Sequence, residues 1–380
     1  MENIEPFTLV ARDYRALRSV AWNPAPGLNV LVGPNGSGKT TVLSALKFLR
    51  TLFSYGHESA LGVVKGVHLR RRGAAAEAPV HFEIQVGEIR WTLDLPVDAR
   101  GLVSTYGESL TRGDEAVLRA TMYQEEWTYE GKRRKFPEGR CCARFVWDHA
   151  EPEWMIPLVD CLRQIRVYDT YRLDLVRGPT REDERRTYLH PTGANLWTVL
   201  SHWKTSPRRF NHQFAWVIEA MRSAFPDVVR DLEFDGVTPH GMIFPPDASS
   251  PDDAVPALLE ADGVLTGFLH LTAVAGAARG SVLAFDEIEN QLHPYAIRSI
   301  LNSMRERAEE NELTILMTTH SPVVLNAFEG QEDQVYVMER GQETLPVALT
   351  ELRDPVWLTS FTLGRRYERL DFGAPGITQG

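Results

Sequence analysis

Gly33-Pro34-Asn35-Gly36-Ser37-Gly38-Lys39-Thr40 matches the pattern GxxxxGK[ST] at every position, and Thr41 follows it. Glycines at these spacings let successive backbone N–H groups turn inward on an anion, and a helix that follows presents its positive end to the same charge. The chemistry is nucleoside triphosphate binding: Lys39 can reach the β- and γ-phosphates, and the Thr40 hydroxyl can complete the coordination of Mg²⁺. The bare pattern arises by chance in about 1 chain in 100 of this length at average glycine usage. Its place in the fold must therefore carry part of the argument.

Two further groups supply that place. The run Ser281-Val282-Leu283-Ala284-Phe285 reads as a buried strand and leads directly into Asp286-Glu287. Asp286 is expected to hold Mg²⁺ directly or through water, and Glu287 to polarise the water that attacks the γ-phosphate. An Asp-Glu pair alone also begins ordinary surface turns; after a phosphate loop and an apolar strand it is far more specific. A second buried run, Leu313 to Met317, ends in Thr318-Thr319-His320-Ser321-Pro322. It places His320 where it can meet a γ-phosphate or the attacking water, with Ser321 and Pro322 as N-cap and first helical residue.

The elements that must position these groups are legible around them. Residues 28 to 32 (LNVLV) form a short apolar run before the loop, and Val42, Leu46 and Leu49 carry helical spacing after it. Strand, loop, helix is the context the motif requires. From about residue 60 to 150, alternating stretches such as VHFEIQV and IRWTLDL predict an antiparallel sheet. The helical segments NLWTVLSHW and FAWVIEAMRSAF carry aromatic stripes that read as core-facing, and FPPDASSPDDAVP reads as a flexible surface loop. From residue 263 the pattern becomes helix, buried strand, amphipathic helix, buried strand, as in a parallel α/β core.

The predicted fold class is α/β, a P-loop nucleotide-binding fold with a mainly parallel core sheet, an antiparallel β subdomain and a helical lobe. We expect a single head over 1–380. The core comprises 1–55 and 263–345, the β-rich part is 56–150, the helical lobe is 151–262, and 346–380 is a C-terminal segment.

Composition narrows the class. Lys and Arg number 41 against 51 Asp and Glu, giving a net charge of −10, which argues against a surface that binds nucleic acid all over. Local basic patches remain at Arg70-Arg71-Arg72, at Lys132-Arg133-Arg134-Lys135 with Arg140, and at Arg181 with Arg185 and Arg186; solvated loop charge is the commoner meaning of each. Cys141, Cys142 and Cys161 cannot form a disulfide framework and show no zinc spacing, so they read as reduced thiols. No apolar run of membrane-spanning length exists and MENIEPFTLV lacks a signal-peptide pattern, so a soluble cytoplasmic protein is expected, with no membrane partner.

With these residues placed, the chain resembles the ABC-type ATPase heads of the RecF, structural-maintenance-of-chromosomes (SMC) and OLD group, especially its compact stand-alone ATPases. GPNGSGKTT, LAFDEIENQLHP and TTHSP carry the match. It extends to the strand before the loop, to Gly193-Ala194-Asn195-Leu196 and to WLTSFTLGRRYERLDFG, while residues 55 to 160 carry little of it.

The resemblance implies ATP and Mg²⁺ as cofactors and a homodimer or higher homo-oligomer in which two heads sandwich two ATP molecules. A signature loop of one head then touches the γ-phosphate held by the other. Here the matching segment is Glu260-Ala261-Asp262-Gly263, with Ala261 in place of the usual serine; Gly263 and the helix dipole remain to meet the partner's phosphate. Glu289 to His293 resembles the loop that crosses the dimer interface. The Mg²⁺-sensing glutamine has three candidates, Gln85, Gln124 and Gln164, and Arg12 or Tyr14 could contact adenine.

Two functions follow. The first is an ATP-driven switch in DNA repair or antiphage defence, acting on a separate effector such as a nuclease or toxin, with DNA as a further possible ligand. The 60 residues after His320 are too few for a TOPRIM nuclease domain. The second, motivated by Ala261, is an ATP-bound scaffold that oligomerises and turns over slowly or not at all. A transporter subunit is disfavoured because no LSGGQ-like signature is present and the carboxylate pair continues as IENQLHP.

Overall fold

A computed structural model of the chain describes residues 6–64, 69–98, 101–102, 106–178, 187–235, 240–339, 345–354, 361–369 and 371–373. The basic cluster of Arg181, Arg185 and Arg186 lies outside them.

Short runs buried on both faces make the central sheet. Its six strands lie in the order Arg166–Tyr168, Val282–Phe285, Thr314–Thr319, Gly27–Val32, Val335–Val337, Val347–Ala348. All neighbours are parallel except the last pair. Alternation assigns the two faces. Val30, Val32, Leu283, Phe285, Ile315 and Met317 face one apolar cluster, while Leu31, Val282, Ala284 and Leu316 face another.

The first cluster is closed by helices. Asp262–Ala275 is buried at every position from Val264 to Ala275, as expected of a helix that is apolar on all sides. Around it pack Leu196–Thr205, Pro207–Ala224 and Pro294–Asn311. Trp197, Trp203, Phe210 and Phe214 are buried there, so the aromatic stripes face the core. Gly193 and Asn195 belong to this packing: Asn195 Oδ1 accepts from the His190 N–H at 2.7 Å and its Nδ2 donates to Tyr188 O at 3.1 Å. A side chain at Gly193 would collide with Leu269.

The second cluster holds the helix Lys39–Tyr55 against an eight-stranded antiparallel sheet. That sheet contains the predicted strands Val80–Val86 and Ile89–Leu95, and also recruits Phe7–Tyr14 and Leu17–Trp22. A boundary at residue 55 therefore cuts through the sheet. Its far edge is Lys132–Lys135, exposed throughout, which is how edge strands avoid pairing with other chains. Of the remaining basic residues, Arg71 pairs with Asp13 at 2.8 Å and Arg140 with Asp148.

Residues 244–256, expected as a flexible loop, instead hold a capped turn: Asp253 Oδ2 accepts from the N–H groups of Ser249 and Ser250, both at 2.7 Å, and Val255–Pro256 joins a three-stranded sheet. Asp and Ser in such a run satisfy the backbone locally. Among the described residues no helix is long and apolar enough to cross a membrane.

Candidate functional site

The three motif segments leave adjacent parallel strands at the same end of the sheet. Thr319 lies opposite Val32 and Met317 opposite Phe285, so Gly33, Asp286 and His320 emerge side by side, as open α/β sheets place their ligands. In the loop, Gly38 has φ +104° and a side chain there would run into Leu17; glycine is needed on both counts.

Two atoms in the loop lack the partners their chemistry requires. Lys39 is only 6% exposed, and its ammonium donates to the carbonyls of Gly33 at 2.8 Å and Pro34 at 3.2 Å. Desolvation pushes its pKa down, against the opposing pull of Asp286, Glu287 and Glu289. Ser37 Oγ is buried with no hydrogen-bond partner. A buried cation held by neutral carbonyls and an orphaned hydroxyl fit a phosphate group.

The loop is tied to the carboxylates by a hydroxyl chain. Thr40 Oγ1 donates to Asp286 Oδ1 at 3.0 Å, Thr318 Oγ1 donates to the same oxygen at 2.6 Å, and the Glu287 N–H donates to Thr318 Oγ1 at 2.7 Å. Burial raises the Asp286 pKa against the lowering effect of the two hydroxyls. A desolvated carboxylate beside a hydroxyl is an oxygen donor set for a hard cation, so these residues fit Mg²⁺. Glu287 adopts φ +49°, a left-handed conformation that costs a non-glycine residue about 1–2 kcal/mol. Its Oε2 accepts from Asn290 Nδ2 at 2.8 Å.

His320 is half-buried beside them. Glu289 Oε1 accepts its backbone N–H at 2.7 Å and Glu289 Oε2 accepts the Thr319 hydroxyl at 2.9 Å. Desolvation, then the nearby Lys39 charge, lowers the His320 pKa. Ser321 caps the following short helix through its Oγ, which accepts the Val323 N–H at 3.2 Å. Asn35, Gly36 and Thr40 are exposed at the mouth of the site, with Thr41 half-buried on the first helical turn.

Gly263 is placed differently. A side chain there would meet Gln291 O at 2.5 Å, and Thr266 Oγ1 donates to Gln291 Oε1 at 3.1 Å. The start of the signature-like helix thus rests on the 289–293 turn of its own chain, and Ala261 at the N-cap supplies no side-chain cap.

The glutamine candidates fall elsewhere. Gln85 Nε2 donates to Gly87 O in the antiparallel sheet, Gln124 sits in a turn before Glu126–Tyr129, and Gln164 Oε1 accepts from Ser281 Oγ at the opposite end of the core strands. One site residue that the sequence pattern did not reveal is Asp169. It follows Arg166–Tyr168, whose Tyr168 lies opposite Phe285, and it pairs with Lys47 at 2.7 Å. Its charge adds to the upward push on Asp286. Three residues of strand gave too little pattern to find it. Tyr14 is fully buried against Phe48 and Phe82 with its hydroxyl 2.7 Å from Ser44 Oγ, whereas Arg12 is exposed; burial removes Tyr14 as an adenine platform.

Fold and site together define an ABC-type ATPase head of the RecF, SMC and OLD group. The chain belongs to the family described as "AAA domain, putative AbiEii toxin, Type IV TA system", whose model matches residues 28–142 and 220–326. A stretch of 93 residues is 32% identical to the DNA replication and repair protein RecF of Yersinia enterocolitica, covering 24% of each chain. Another of 45 residues is 49% identical to RecF of an Anaeromyxobacter species, 12% of each. The chain thus spans a quarter or less of the curated relatives it matches. Its fold is similar to that of an SMC head solved bound to the C-winged helix domain of ScpA. That TM-score is 0.51 at 14% identity, over 92% of this chain and 100% of the other.

Proposed function

We propose that this chain binds ATP and hydrolyses it as one half of a head-to-head dimer, so that nucleotide state controls a separate effector. The observation that carries the reading is the hydroxyl chain Thr40, Asp286, Thr318, Glu287, which joins a phosphate loop to an adjacent carboxylate. Lys39 would leave its loop carbonyls for the β- and γ-phosphates. Thr40 and Asp286 would hold Mg²⁺, which when bound neutralises charge developing on the phosphate oxygens. Glu287, just beyond Asp286, would take the proton of the attacking water, and His320 would contact the γ-phosphate. Gly33, Asn35, Gly36, Ser37, Gly38 and Thr41 would complete the phosphate cradle. Gly263, at the helix N-terminus, would serve the nucleotide of the second copy.

RecF is named for DNA replication and repair and the family description names a toxin–antitoxin system; both motivate a role in DNA repair or antiphage defence with a nuclease or toxin partner. Net acidity favours a protein partner over constitutive DNA binding. The test is ATP turnover with and without double-stranded DNA, for wild type and Glu287→Gln, with mass followed by light scattering. Turnover lost in the variant together with an ATP-dependent dimer supports the switch. Stimulation by DNA assigns DNA as the trigger.

The uncapped Ala261 favours a second reading, an ATP-bound scaffold. Wild type without turnover, assembling regardless of Glu287, would establish it.

A further inference from the structure

The last described segment of the chain lies on the phosphate loop. The short helix Leu363–Glu368 packs on Pro322–Asn326, directly after His320. It is pinned there by the Gly364 N–H, which donates to Asn326 Oδ1 at 2.8 Å, and a side chain at Gly364 would collide with Pro322 O. Beyond it, the Asp371 N–H donates to Arg366 O at 3.0 Å, Phe372 is buried, and the Gly373 N–H donates to Glu339 Oε1 at 2.5 Å. Gly373 lies near Gly33 Cα, on the first residue of the loop. Between this segment and the loop is a cavity of about 510 Å³ lined by Pro34, Asn35, His320 and Tyr367 among others.

Inside that cavity the Tyr367 hydroxyl stands 3.4 Å from His320 Nδ1. The Tyr367 ring lies beside Phe372, with centroids 5.8 Å apart, and a side chain at Gly373 would press on it at 3.0 Å. The separation is that of a long hydrogen bond, as catalytic contacts often are without substrate. Its chemical consequence concerns the tautomer. For neutral His320 to donate from Nε2 to a phosphate oxygen, Nδ1 must carry a lone pair, and a hydroxyl donating to Nδ1 selects that form. Metal-ligating histidines have their tautomer and ring orientation set through the second nitrogen, and the same physical logic applies to a histidine facing a phosphate.

We propose that Tyr367 is a positioning residue for His320, and that the helix Leu363–Glu368 is thereby part of the apparatus that distinguishes ATP from ADP. The inference rests on the reading of His320 as a γ-phosphate contact. ADP lacks that phosphate, so loss of the Tyr367 hydroxyl must act on ATP alone.

The experiment compares wild type, Tyr367→Phe, His320→Ala and the double variant for ATP turnover and for affinity toward ADP and a non-hydrolysable ATP analogue. Phenylalanine keeps the ring packing and removes the donor. We expect Tyr367→Phe to lower kcat about tenfold, the low end of what loss of an outer-shell partner costs, and to weaken the ATP analogue relative to ADP. In the His320→Ala background the same substitution should change neither quantity. An unchanged kcat and unchanged ATP preference in Tyr367→Phe would overturn the proposal. So would an equal loss in both backgrounds, or parallel loss of ADP binding. If wild type shows no turnover, the hydrolysis reading fails, and the ATP-over-ADP preference alone still decides the role of Tyr367.

Discussion

Thr318 Oγ1 donates to Asp286 Oδ1 at 2.6 Å and at the same time accepts the Glu287 N–H at 2.7 Å. One hydroxyl, delivered by the neighbouring strand, thereby fixes both the carboxylate proposed to hold Mg²⁺ and the backbone that carries the proposed base. Loss of this hydroxyl leaves the Glu287 N–H unpaired and deprives the Asp286 carboxylate, which accepts, of one donor.

Thr318→Val keeps the branched shape in a fully buried position while removing the donor. Turnover measured across a Mg²⁺ titration should fall about 10–100-fold, with a higher Mg²⁺ requirement, as for other outer-shell partners. Wild-type Mg²⁺ dependence in the variant would show that Asp286 is held by other means.

Lys39→Met separates phosphate binding from stability. The ammonium has only two carbonyl partners and is desolvated, so its removal should leave the nucleotide-free melting temperature nearly unchanged. Wild type should gain about 2.7 kcal/mol at ATP one hundred times above Kd, and the variant should gain nothing. Thermal melts with and without ATP read this directly.

His270 sets an acid limit on the fold. It is buried on the signature-like helix, with Nδ1 3.1 Å from the Tyr171 hydroxyl and its ring edge-on to Phe285, and desolvation pushes its pKa down from 6.5 to about 4. The unfolded chain therefore binds the extra proton first, and stability is lost as pH falls from about 6.5 to about 4. The full effect is about 3 kcal/mol. Urea melts at pH 7 and pH 4.5 should show a smaller acid loss for His270→Gln than for wild type.

Glu108 caps a helix from a distant strand. Its carboxylate accepts from the Cys142 and Ala143 N–H groups at 2.7 and 2.8 Å and from Trp91 Nε1 at 2.9 Å. The N-cap residue Cys141 contributes no side-chain bond. Glu108→Ala orphans three buried donors and should cost about 3 kcal/mol. A chemical denaturation curve unchanged from wild type would contradict that role.

The loop, the Asp286-Glu287 pair and the core strands were legible because each is a short apolar run ending in groups of unmistakable chemistry. Contacts between distant segments were not. Nothing local marks Asp169 as a further carboxylate beside Asp286, Glu108 as a helix cap, or Tyr367 as the neighbour of His320; each pairing depends on register between strands or on where the chain returns. The same limit explains the N-terminal strands: FTLVARDY and LRSVAW alternate, but only pairing with Val80–Val86 shows which sheet they join. The glutamine candidates failed for the converse reason, since residue type without a strand end has no address.

The order of the central sheet also sets a timetable for synthesis. Gly27–Val32 has as its two neighbours Thr314–Thr319 and Val335–Val337, both made long after it. At about 5–20 residues per second, the strand leading to the phosphate loop waits tens of seconds on the ribosome before either partner exists. The antiparallel layer can close earlier around the helix Lys39–Tyr55. The nascent chain must therefore shelter an apolar strand edge while residues 33 to 313 are made. Slowed elongation between residues 33 and 313 would be expected to lower the yield of folded protein rather than the activity of the molecules that fold.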